Sequence, residues 1–125
     1  MSGGERLWAV RGATQAKSND PEAIVEAAEE LMRELMSRND LEPERMVCCI
    51  FTSTHDLNAE FPAVAARNVG LDKVPLLCSQ EIDVPGAMRS VIRTLVQYYA
   101  PDDHEPVHTY LGDAQELRSD LRAAQ

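Results

Sequence analysis

The chain has 125 residues, 44% hydrophobic and 26% charged, with 21 acidic side chains against 12 basic ones and a formal charge of -9. That length predicts one domain with a modest core, and the acidic balance argues against a nucleic-acid partner, which needs a basic face. No apolar stretch approaches the roughly 20 residues that span a bilayer, and the opening Met-Ser-Gly-Gly-Glu-Arg has no apolar segment of the kind that marks a secretory signal.

Leu7 to Val10 is a short apolar run containing Trp8 and predicts a first strand leading into Arg11. Asp20-Pro21 predicts a helix start, with Asp as cap and Pro at the first helical position. Ile24, Ala28, Leu31 and Leu35 follow at helical spacing, Glu22, Glu26, Glu29, Glu30 and Arg33 fill the other face, and Asn39-Asp40 closes the helix after about Arg38. Met46 to Phe51 is unbroken and apolar, which predicts a central strand buried on both faces. Phe61 to Asn68 favours a short helix stopped by Gly70. Val74 to Cys78 is a further strand, with Pro75 at its start or on an edge because proline lacks the ladder donor.

Pro85-Gly86 is expected to open another helix, with Met88, Val91, Ile92, Leu95, Val96 and Tyr99 as its buried stripe and Arg89, Arg93 and Gln97 opposite. Val107 to Leu111 alternates and predicts a last strand. The order predicts a mixed sheet of four or more strands with helices on one face. One chain of this length has no spare element for the second face, so oligomerisation is expected to cover it. The expected domain is residues 1–125, with a disordered start over 1–5 and a partly flexible tail over 112–125.

Cys48, Cys49 and Cys78 form no Cys-x-x-Cys pair and have no histidine cluster nearby, so reduced thiols, a cytoplasmic setting, no metal and no cofactor are expected. His55, His104 and His108 are scattered, and no nucleophile elbow or glycine-rich phosphate loop is present. A chain this acidic repels small anions unless a few cations are gathered in one place. Arginine gathers them best, because its planar fork grips a carboxylate with two hydrogen bonds. Arg11 is expected at the end of a strand, where side chains reach the crevice beyond a sheet. One at a time, the other residues have ordinary readings: Arg93 a solvated helix residue, Arg67 a surface charge, Glu81 a turn anchor, Tyr110 a packing residue with a wet hydroxyl, Cys78 an inert thiol.

Their order is less ordinary. The chain reads Val10-Arg11-Gly12-Ala13-Thr14, then Asp56-Leu57 with Phe61-Pro62-Ala63 and Ala66-Arg67, then Val74-Pro75-Leu76-Leu77-Cys78 with Gln80-Glu81, then Val91-Ile92-Arg93, His108-Thr109-Tyr110-Leu111, and Leu117-Arg118 with Asp120-Leu121. Jointly these fragments resemble the small, monofunctional, trimeric class of chorismate mutase, from about Leu7 to Leu121. The resemblance implies a ferredoxin-like α+β chain in a pseudo-barrel homotrimer, with the sites between neighbouring subunits and the substrate chorismate, which becomes prephenate. It implies Arg93 beside the ether oxygen, Arg11 on the side-chain carboxylate with Tyr110 in the same region, and Glu81 accepting from the ring hydroxyl with Cys78 close by. It implies Phe61, Ala63 and Arg67 as the wall from the adjacent subunit, and Leu117 and Arg118 as a cover. Val64 stands where relatives often carry lysine, and the loop from Arg67 to Val74 is one residue shorter. A trimeric enamine or imine deaminase and a non-catalytic metabolite-binding trimer are the alternative readings.

Overall fold

The computed structural model describes residues 4–117. Its elements are β1 (Glu5–Gln15), α1 (Pro21–Asn39), β2 (Met46–Ser53), α2 (Ala63–Asn68), β3 (Leu76–Gln80), β4 (Val91–Pro101) and β5 (Thr109–Tyr110), with short 3-10 helices at Pro43–Arg45 and Gly112–Glu116. The strands form one mixed sheet in the order β3-β2-β4-β1-β5. The β1/β4 and β2/β4 pairs are antiparallel, and the β2/β3 and β1/β5 pairs are parallel. No helix among the described residues is long and apolar enough to cross a membrane.

α1 begins where the local chemistry requires. Asp20 is extended and its carboxylate accepts from the Ala23 N–H at 2.9 Å, while Pro21 takes the first helical position without losing a bond. The helix ends at Asp40, whose left-handed φ of 56° turns its N–H back onto the Met36 and Ser37 carbonyls. Ile24, Ala28, Met32 and Leu35 of α1, with Ala65 and Ala66 of α2, pack on Val10, Cys49, Phe51, Ile92, Val96 and Tyr98. Those strand residues alternate along β1, β2 and β4, so both helices lie on one face of the sheet. Pro75 precedes β3, which is an edge strand.

Two expectations are corrected. The helix expected from Pro85 does not form: residues 82–90 are turns and irregular backbone, and Val91–Pro101 is the central strand, paired on both sides. Its apolar residues fit a period of 3.6, but Ile92, Thr94, Val96, Tyr98 and Ala100 fit a period of two equally well, and these are buried, with Val91 at the strand start the one buried residue outside the alternation. Val, Ile, Thr and Tyr dominate the segment, and β-branched and aromatic side chains settle better on a pleated sheet with neighbours on both sides. Arg93 therefore alternates with buried strand residues and lies on no helix surface. Arg11 is also not at a strand end, because β1 continues for four residues beyond it and pairs with β4 throughout.

The second face of the sheet carries Leu7, Leu77 and Tyr99 exposed, with Ile50 and Leu95 half-buried. At one end it is covered by a small cluster of Ala13, Val91, Tyr110, Ala114 and Leu117, formed where the Gly112–Glu116 turn folds back.

Candidate active site

Strand parity and register decide which side chains meet. Arg93 lies opposite Ala13 on one side and Thr52 on the other, and Arg11 lies opposite Leu95. All of these point away from the helices, as does Tyr110, which pairs with Ala13. Arg11, Arg93 and Tyr110 thus line one groove of about 270 Å³ with Gly12, Ile50, Thr52, Thr94 and Leu95. Ile50 and Leu95 make its floor apolar, which lowers the local dielectric and strengthens the two guanidinium charges.

Glu81 sits just past β3, where its N–H donates to the Ser53 carbonyl at 3.0 Å. Its Oε2 accepts from the Thr52 hydroxyl at 2.7 Å and lies 2.8 Å from Arg93 Nε. The Arg93 N–H does not point along that line, so the contact is an ion pair and the buried Nε forms no directed hydrogen bond. The Arg93 side chain is 38% exposed and that of Glu81 only 17%. Glu81 therefore anchors the guanidinium from the protein side while part of its fork faces the groove.

The start of β4 is held by a second carboxylate. Asp56 Oδ2 accepts from the Ser90 N–H at 2.9 Å and from its hydroxyl at 3.0 Å, and Ser90 has a left-handed φ of 60°. Thr54 pairs with Val91 next to it, its hydroxyl accepting from the Val91 N–H at 3.0 Å. This knot lies three residues before Arg93. Burial pushes the Asp56 pKa up, but hydrogen bonds from the Thr54 and Ser90 hydroxyls and the Ser90 N–H outweigh it, and the pKa falls below its ordinary value of 3.8. A carboxyl with a lower pKa folded than unfolded stabilises the fold above the unfolded pKa. That contribution is lost as pH drops through the folded value. Asp56→Asn is therefore expected to lower the melting temperature at pH 7 and to flatten the loss of stability below about pH 4. Parallel melting curves for the two proteins from pH 7 down to about pH 2 would contradict the role.

The other expected site residues lie elsewhere. Cys78 is in register with Phe51, so it faces the helices and not Glu81. It lines a separate groove of about 350 Å³ with Phe61, Pro62, Ser79 and Gln80. Phe61 is 68% exposed, a large apolar ring left uncovered by the described residues. Ala63 is half-buried at the start of α2, and Arg67 is exposed near its end. Leu117 is buried against the Tyr110 cluster, and Arg118 lies outside the described residues. The structure thus brings Arg11, Arg93, Glu81 and Tyr110 together and sets Cys78 with Phe61 in a second groove.

Sequence reasoning missed Thr52 and, although it quoted Asp56 within a fragment, missed the contact of Asp56 with Ser90, which directly precedes the quoted Val91-Ile92-Arg93. Cys49 is not a candidate nucleophile, because burial pushes its thiol up to about 12.

Comparison with known proteins finds similar chains over nearly the whole length. A family model described as chorismate mutase type I matches residues 7–121. Chorismate mutase AroH of Thermus thermophilus is 41% identical over 118 residues, covering 93% of this chain and 97% of that one. Chorismate mutase AroH of Bacillus subtilis is 36% identical over 115 residues, covering 90% of each. A solved chorismate mutase from Clostridium thermocellum aligns with a TM-score of 0.80 at 39% identity, over 87% of this chain and 98% of its own. With its family model spanning nearly the whole sequence, the chain belongs to the chorismate mutase type I family.

Proposed function

We propose that the protein is an isomerase that rearranges chorismate to prephenate, in the biosynthesis of phenylalanine and tyrosine. The observation that carries this is the meeting of Arg11, Arg93 and Tyr110 over an apolar floor, with Glu81 and Thr52 bracing Arg93. The reaction breaks the C–O bond of an enol ether and forms a C–C bond within one molecule, so atoms and electrons balance without a co-reactant.

The protein has two tasks. It must hold the side chain folded over the ring, an orientation effect that can supply several kcal/mol, on the order of 7 or more in favourable cases. It must also stabilise the negative charge that grows on the ether oxygen as the C–O bond lengthens. Arg11 takes the side-chain carboxylate, Tyr110 donates beside it, and Arg93 meets the ether oxygen. Glu81 accepts from the ring hydroxyl, which favours a ligand that carries one.

A dianionic substrate needs more enclosure than one groove offers. In our reading three chains assemble with their ferredoxin-like sheets facing inward as a pseudo-barrel, which would cover Leu7, Leu77 and Tyr99. Each Arg93 groove would then be closed by Phe61, Ala63, Arg67 and Cys78 of the neighbouring copy, with Leu117 and Arg118 as a cover at the rim. A cytoplasmic location fits the free thiols.

The test is direct. Purified protein is mixed with chorismate, its ultraviolet absorbance is followed, and mass is measured by light scattering. Turnover well above buffer by a trimer supports the reading. A trimer that binds chorismate without turnover supports a binding module, and an inactive monomer refutes both.

Val64 makes a further expectation. It is half-buried on α2, beside the proposed wall, with Glu60 nearby. Val64→Lys adds a cation for the second carboxylate and is expected to lower KM with little change in kcat. A KM that stays the same or rises would remove Val64 from the site.

A further inference from the structure

β5 is only two residues long, yet it carries Tyr110 and lies beside the strand that carries Arg11. What holds its leading end is not a backbone pair. One more step of the parallel ladder would give the Arg11 N–H to the Val107 carbonyl. That carbonyl is turned instead onto Asn39 Nδ2 at 3.0 Å and the Thr109 hydroxyl at 3.1 Å. Asn39 is buried at the end of α1, and its Oδ1 accepts from the Val107 N–H at 2.7 Å. The Arg11 N–H donates to His108 Nδ1 at 3.0 Å. An imidazole nitrogen thus takes the place of the missing carbonyl.

We propose that His108 is a positioning residue, whose Nδ1 holds the Arg11 backbone and ties it to the segment that presents Tyr110. The bond requires an unprotonated Nδ1, so a neutral His108 carries its proton on Nε2. Arg11 is itself one end of this tie and Tyr110 lies two residues beyond the other, and both line the same groove. Without it the Arg11 N–H loses its partner and the β1/β5 pair rests on Gly12, Ala13 and the Leu111 N–H bond to the Ala13 carbonyl at 2.9 Å. The kinetic consequence rests on the function proposed above, whereas the tautomer does not.

Two measurements on the full chain test the proposal. Nitrogen-15 NMR of the imidazoles at neutral pH is expected to find His108 Nδ1 unprotonated, and a proton on Nδ1 would overturn the assignment without any variant being made. In kinetics, His108→Leu is expected to raise KM for chorismate about tenfold with kcat within about threefold, because binding groups are displaced while Arg93 is untouched. His108→Asn, whose Oδ1 stands near the position of Nδ1, is expected to restore most of the KM. A KM unchanged in His108→Leu, or raised equally in both variants, would overturn the positioning role. Wild-type protein inactive toward chorismate would instead sink the functional reading and leave the NMR result standing.

Discussion

Arg93→Ala is expected to lower kcat by about two to three orders of magnitude, the loss typical of one preorganised donor at a developing oxyanion. The reason lies in how the guanidinium is held. Glu81 sits 2.8 Å from Nε and is itself fixed by Thr52, so in the proposed reaction Arg93 would not have to reorganise as charge develops on the ether oxygen. Half-burial beside Ile50 and Leu95 keeps water from screening it. Removing the side chain also leaves Glu81 mostly buried with Thr52 as its one side-chain partner among the described residues, so some stability is lost as well. A neutral isostere of the guanidinium separates these effects: it is expected to bind chorismate with a similar KM and still turn over slowly, because shape is kept and charge is not. Steady-state kinetics on both variants decide the matter. Near-native kcat in Arg93→Ala would remove Arg93 from the reacting atoms, whatever the family.

Gly12→Ala is expected to lower stability by about 1–3 kcal/mol, the usual range for forcing an added carbon into a packed site. A Cβ at this position would sit 2.9 Å from the Thr109 carbonyl oxygen and 3.0 Å from methyl groups of Leu31 and Leu35. The leucine ends can rotate away. The Thr109 carbonyl cannot, because it belongs to the short β5 strand, and moving it opens the β1/β5 pair. Tyr110 moves with that strand, so kcat/KM is expected to fall along with a drop of several degrees in Tm. Thermal unfolding and kinetics on the same sample report both. A variant with native Tm and native kcat/KM would mean that β5 has room the structure does not provide.

Much of the fold was legible along the chain. Asp20 and Pro21 mark the start of α1 through a cap and a missing donor, both local effects. Met46 to Phe51 reads as a strand because the run is apolar and too short for a buried helix. β4 was not legible, since Val91 to Ala100 satisfies both helical and strand periods. The choice fell to the two neighbouring strands, which lie 46 to 53 and 5 to 15 in sequence.

The site shows the same division. Arg11, Glu81, Arg93 and Tyr110 were picked out by their order, but Cys78 was expected beside Glu81 and faces the other side of the sheet. Side chains alternate along a strand, so three residues of chain can separate two groups completely. The amino-acid order determined the residue types available, the helix caps and a chain too acidic to gather cations by chance. Only the tertiary structure decided which of them meet. Sheet register places residues 11, 93 and 110 side by side, and register depends on contacts between distant segments that no local pattern encodes.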